Sequence, residues 1–120
     1  MKKAKILLVD DEQDHLFLLS EMLKREGFDV YPLLNPGNIT SVVESFKPNI
    51  VILDVRIGSF DGRVICKQLK DAVESKDIKV ILHSAYPELK DEYKLCGADE
   101  FLIKPTDFSH LLDRLNFHLK

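Results

Sequence analysis

The chain has 120 residues, 45% hydrophobic and 31% charged, which suits one domain with a real core and leaves no room for a second of normal size. Seventeen Lys and Arg against twenty Asp and Glu give a net charge of −3, which argues against a nucleic-acid footprint, since that would need a strongly basic face. No apolar run approaches the ~20 residues that cross a bilayer, and Met1-Lys2-Lys3 precedes too short an apolar stretch for a signal peptide. Cys66 and Cys96 are too few for a disulfide framework. The reading is a single cytoplasmic domain over 1–120, in direct contact with neither nucleic acid nor membrane.

In chain order, Ile6-Leu7-Leu8-Val9 is a continuous apolar run closed by Asp10. Leu16, Leu19, Met22 and Leu23 then share one helical face, with Gly27 as its terminal glycine. Val30-Tyr31-Pro32-Leu33 predicts a strand at a sheet edge, because Pro32 lacks a ladder donor. A second helix carries Ile39, Val42, Val43 and Phe46 and stops at Pro48. Ile50-Val51-Ile52-Leu53 is the next run, closed by Asp54. Val64, Ile65, Leu69 and Val73 mark a third helix, and Val80-Ile81-Leu82 a fourth strand ending in His83 and Ser84. Leu89, Tyr93 and Cys96 mark a short fourth helix ending at Gly97. Phe101-Leu102-Ile103 is closed by Lys104 and Pro105, and Phe108, Leu111, Leu112, Leu115 and Leu119 form the last helix.

Apolar runs without polar alternation are strands covered on both faces. Five of them alternating with five helices predict an α/β fold, a doubly wound three-layer sandwich on a parallel sheet. Ligands of such sheets sit beyond the carboxyl ends of the strands. The informative residues are therefore those that close the runs: Asp10, Asp11, Asp54, His83, Ser84 and Lys104. Crowded carboxylates raise one another's pKa unless something positive offsets them, and Mg²⁺ is the hard cation that takes one or two carboxylates. Asp54 stands at the centre, the best-placed nucleophile. A carboxylate with Mg²⁺, a hydroxyl donor and a lysine suits phosphoryl transfer.

Over essentially its whole length the chain resembles the receiver domains of two-component response regulators. The matching pieces are Leu8-Val9-Asp10-Asp11-Glu12, Asp54 with Asp61-Gly62, Ser84-Ala85, and Gly97-Ala98-Asp99-Glu100-Phe101-Leu102-Ile103-Lys104-Pro105. The resemblance implies the flavodoxin-like strand order 2-1-3-4-5. It implies Asp54 as phosphoacceptor, Mg²⁺ bound directly by Asp11 and through water by Asp10, and the backbone carbonyl of Arg56 as a further ligand. Ser84 corresponds to the switch hydroxyl and Lys104 to the phosphate-pairing lysine, with a cis peptide before Pro105. Phe101 corresponds to the aromatic switch, whose ring turns inward on activation.

The implied partners are a histidine kinase or histidine phosphotransfer protein, and a downstream target or effector domain that the sequence does not name. The surface expected to change is the fourth helix, fifth strand and fifth helix, through which the resemblance also admits a homodimer. The sequence departs from the family pattern in three places. Ile57-Gly58 replaces a common Met-Pro, Phe101 lacks a tyrosine hydroxyl, and Arg56 and Tyr86 occupy the two variable positions that tune phosphate lifetime.

Taken singly, each motif has a plainer meaning. Asp10-Asp11-Glu12 is also an acidic helix start, Asp61-Gly62 a turn, and Lys104-Pro105 a loop. Their joint placement decides for the site. Cys66 and Cys96 read as small core residues, and His15, His83, His110 and His118 lack metal-site spacing. Phe17 and Leu18 extend the first helix's apolar face, either as a wide buried stripe or as a docking patch. The rival function is a small Mg²⁺-dependent aspartyl-phosphate phosphatase or phosphotransferase, but Arg56 stands where such enzymes carry a second Asp. A flavin module would need a phosphate-cradling loop, which Asp10-Asp11-Glu12 would repel. The expected role is thus a signalling phosphoacceptor that assists its own phosphorylation and dephosphorylation, not a turnover enzyme.

Overall fold

The computed structural model describes residues 3–120. Lys5–Val9 (β1), Asp29–Leu33 (β2), Ile50–Asp54 (β3), Lys79–Ser84 (β4) and Glu100–Ile103 (β5) form one parallel sheet in the order β2-β1-β3-β4-β5. β2 lies at an edge, where the missing donor of Pro32 costs no ladder bond on its open side. The α-helices are Gln13–Arg25 (α1), Ile39–Phe46 (α2), Gly62–Asp71 (α3) and Phe108–His118 (α4).

The strands read as unbroken apolar runs because both sheet faces are covered. Leu7, Val9, Val51, Leu53, Val80, Leu82 and Phe101 pack against α2 and α3 residues such as Val42 and Ile65. Ile6, Leu8, Ile52, Ile81 and Leu102 pack against Leu16 and Leu23 of α1 and Leu111 and Leu115 of α4. Lys24 and Arg25 stand in the last turn of α1, where the dipole favours cations. Gly27 follows with φ of 97°, a left-handed turn natural to glycine.

The structure corrects two expectations. The fourth helix is not α-helical: Pro87–Cys96 is a 3₁₀ segment that opens on Pro87 and closes on Gly97 at φ 85°. Its apolar anchors Leu89, Tyr93 and Cys96 are few and Leu95 faces solvent, so packing does little to impose the wider α turn. The third helix ends at Asp71, where Ala72 turns extended, and Val73 is left exposed beyond it. Its buried stripe is Ile65, Cys66 and Leu69, with Val64 also exposed. A short hairpin, Arg56–Ile57 with Phe60–Asp61, was not expected and lies immediately after Asp54. Cys66 and Cys96 are buried free thiols, as core residues should be.

Candidate functional site

Side chains alternate along a strand, so positions two apart share a face. Leu8, Ile52, Ile81 and Leu102 point to the α1/α4 side. Two residues further on, Asp10, Asp54, His83 and Lys104 continue those rows at the carboxyl edge of the sheet. The ladder extends far enough to hold them: the Asp10 amide donates to Leu33 O at 3.2 Å and the Lys104 amide to Ser84 O at 2.7 Å. Asp54 and His83 are register partners across β3 and β4.

Lys104 joins the row. Its Nζ donates to Asp10 Oδ2 at 2.9 Å and to Asp54 Oδ2 at 3.0 Å. β5 and β3 are separated by β4, so the lysine stem has to pass over the end of β4, where His83 stands. The Lys104–Pro105 peptide is cis.

The two carboxylates that share this ammonium respond in opposite directions. Burial would raise Asp10, but the Glu12 amide at 3.0 Å, Lys104, and His15 Nδ1 at 2.7 Å all stabilise its charge and hold it below the ordinary carboxylate value. Burial raises Asp54 and wins, because Lys104 is its main support and the charge of Asp10 works against it. Lys104, despite burial, is held above its ordinary value by both carboxylates. Asp54 therefore has negative charge that the protein alone leaves incompletely offset.

Asp11 is exposed, and its Oδ2 accepts the Gly58 amide at 2.8 Å. A proline at position 58 could not donate that bond, so the departure at Ile57-Gly58 ties the hairpin to Asp11. Gly58 has φ of 59°, again a glycine conformation. Carboxylate oxygens of Asp10, Asp11 and Asp54 lie within 4.8 Å of one another. An all-oxygen set of this size, with uncompensated charge at Asp54, fits a hard divalent cation. Both Asp10 oxygens are already engaged, by the Glu12 amide, His15 and Lys104, whereas Asp11 accepts one amide.

Arg56 lies in the hairpin. Its amide approaches Asp54 Oδ1 at 3.4 Å, and its guanidinium stacks over the Tyr86 ring at 4.4 Å. Ser84 is fully buried, points to the face opposite His83, and accepts the Tyr86 amide at 3.0 Å through Oγ. Phe101 is only 6% exposed, and its ring lies 6.5 Å from that of Tyr93. The ring is thus already inward. Asp61 caps α3 by accepting the Arg63 amide at 2.9 Å.

His15 is a site residue that sequence reasoning did not place, and His83, named there as closing a run, was given no role. His15 sits in the first turn of α1, and its proximity to Asp10 depends on how α1 leaves the end of β1. The structure puts His83 in the row, as its place at the end of an apolar run led one to expect. It is 4% exposed, and burial followed by the charge of Lys104 pushes its imidazole down to about 4. His118 instead pairs with Glu100 at 2.6 Å, away from the row. Phe17 and Leu18 are exposed, so the wide buried stripe is not what they form.

The chain belongs to the response regulator receiver domain family: residues 6–116 match its family model. It is a phosphoacceptor receiver domain of two-component signalling. It is 34% identical over 121 residues to sporulation initiation phosphotransferase F of Bacillus subtilis, covering 99% of this chain and 96% of that protein. It is also 34% identical over 116 residues to the heme response regulator HssR of Staphylococcus saprophyticus, covering 95% of this chain but spanning only 50% of that protein. The crystal structure of the response regulator TrrA from Thermotoga maritima, in complex with Mg²⁺-BeF, is 28% identical with a TM-score of 0.85, covering 96% of this chain and 98% of that one. Among the described residues, no helix is long and apolar enough to cross a membrane.

Proposed function

We propose that Asp54 accepts a phosphoryl group from a phosphohistidine of a histidine kinase or phosphotransfer protein, and that residues 1–120 act as one receiver unit in the cytoplasm. The observation that carries this reading is the Lys104 ammonium shared between Asp10 and Asp54 beside Asp11. An Asp54 carboxylate oxygen attacks phosphorus, the P–N bond to the donor histidine breaks, and the P–O bond of an acyl phosphate forms. Lys104 keeps its fixed positive charge against the incoming phosphoryl oxygens, which need stabilisation as charge develops. Asp11 would hold Mg²⁺ directly, Asp10 through water, with Asp54 and the Arg56 carbonyl completing the protein's share. When bound, Mg²⁺ supplies charge that offsets the crowded carboxylates and the phosphoryl oxygens. Ser84 offers its hydroxyl proton to a phosphoryl oxygen, since its Oγ already accepts the Tyr86 amide.

A groove of about 430 Å³ runs beside this row, with Leu18, Met22, Pro105 and Phe108 on its walls and His83 and Lys104 at its polar end. It supports docking of the donor protein along α1, next to exposed Phe17 and Leu18. The output surface would be the 3₁₀ segment, β5 and α4. Arg56, stacked on Tyr86, supplies no second carboxylate acid, which favours a signalling role over a turnover phosphatase. Incubation with Mg²⁺ and a small acyl-phosphate donor should add one labile phosphoryl group. Asp54→Asn should abolish labelling, and full labelling of that variant would refute the assignment.

A further inference from the structure

We infer that His83 and Thr106 form a positioning pair that aims Lys104 at Asp54, an inference that rests on Asp54 being the phosphoacceptor. His83 stands in the row between Asp54 and Lys104 and is register partner to Asp54 on one side and to Leu102 on the other. The Lys104 stem crosses this position to bring Nζ within 3.0 Å of Asp54. His83 Nε2 lies 3.0 Å from Thr106 Oγ1, and that hydroxyl donates to Ile103 O at 2.8 Å. A threonine hydroxyl has one proton, so toward the imidazole it can only accept. His83 therefore donates from Nε2, in one fixed tautomer, and its ring cannot turn without breaking the bond.

The chain from His83 through Thr106 to Ile103 brackets Lys104. One end lies on β4 beneath the lysine, and the other grips the carbonyl immediately before it. An aliphatic residue at position 83 would fill the space but would leave the Thr106 end of the bracket unheld. Neither residue reaches the carboxylates, so neither is catalytic; they act through the lysine. A group that must meet a phosphoryl oxygen gains most when its geometry is set before the reaction.

The test uses the full chain with His83→Leu, Thr106→Val and the double variant. Thr106 is only half-buried and lies in the loop after β5, so Thr106→Val is expected to fold even if His83→Leu proves weak. At saturating Mg²⁺ each single variant should accept phosphate from a small acyl-phosphate donor on the order of tenfold more slowly, an effect of the size that misplacing a reacting group by a fraction of an ångström produces. The double variant should be no slower than the slower single one, because both break one bracket. Mg²⁺ affinity should stay within about twofold, and the NMR signal of the Lys104 Cε methylene should shift and narrow as the side chain is freed. Wild-type rates in Thr106→Val, additive losses in the double variant, or an unmoved Lys104 signal would each overturn the pair. If instead wild type labels equally well with Asp54→Asn, it is the acceptor assignment that fails.

Discussion

Gly62 lies so close beneath Asp54 that a β-carbon there would run into the Asp54 backbone carbonyl oxygen. The Gly62 amide donates to Val55 O at 2.6 Å, so the start of α3 is clamped to the end of β3. Its φ is not in the left-handed region; space, not backbone freedom, requires the glycine. Gly62→Ala should destabilise the fold by about 1–3 kcal/mol, the usual cost of overpacking. It should also slow phosphorylation, since relief of the clash moves Asp54. Chemical denaturation and labelling rates measure the two effects, and a fully stable, fully active Gly62→Ala would show that the clamp yields at no cost.

Asp10 and Asp11 should differ in what they contribute to cation affinity. Asp10 is buried and already serves Glu12, His15 and Lys104, while Asp11 holds only Gly58 among the bonds observed. Asp10→Ala should weaken Mg²⁺ binding roughly tenfold, the low end for a residue acting from outside the coordination shell. Asp11→Ala should weaken it further. Calorimetric titration of both variants decides, and a larger loss in Asp10→Ala would reverse the roles.

His83 should make stability depend on pH in a defined window. Its ordinary value of 6.5 falls to about 4 in the fold. Between those values the unfolded chain takes up a proton that the folded chain refuses, so the unfolded state binds more protons and stability falls as pH falls. The loss should approach roughly 3 kcal/mol by pH 4. Asp10, Asp99 and Glu100 are held below their ordinary values despite burial, so their contribution is lost only lower, as pH drops through and below the range 3.8 to 4.5. Denaturation of wild type and His83→Leu across pH 7 to 4 should show the slope flattened in the variant. Equal slopes would mean that His83 is not the group responsible.

The apolar runs and the residues that close them were legible because strands buried on both faces leave no polar alternation to confuse with a helix. The row Asp10, Asp54 and Lys104 followed, since each ends such a run. The 3₁₀ segment was not legible: Leu89, Tyr93 and Cys96 stand at spacings of four and three, which fit either helix type. His15 was out of reach because its distance to Asp10 depends on the angle of α1, a tertiary quantity. His83 was visible as a strand end, but its partner Thr106 lies in a loop beyond β5, where periodicity carries no information. The link from Gly58 to Asp11 joins residues in separate loops and left no local signal.

Ser84→Ala should separate phosphorylation from its readout. The hydroxyl is buried and next to the loop that leads to the 3₁₀ segment, through the Tyr86 amide. The variant should still be labelled, but a beryllofluoride mimic should no longer move NMR signals across the 3₁₀ segment, β5 and α4. With Phe101 already inward, the wild-type response should appear in residues 86–96 more than in that ring. Perturbation confined to the Asp54 crevice in wild type would refute the coupling.

The central claim is that Asp54 itself carries the phosphoryl group. Borohydride reduction of the phosphorylated protein converts an acyl-phosphorylated aspartate to homoserine, and peptide sequencing then locates it. The account predicts homoserine at position 54 and unaltered aspartate at positions 10, 11 and 61. Homoserine at any of those three, with position 54 unchanged, would contradict it.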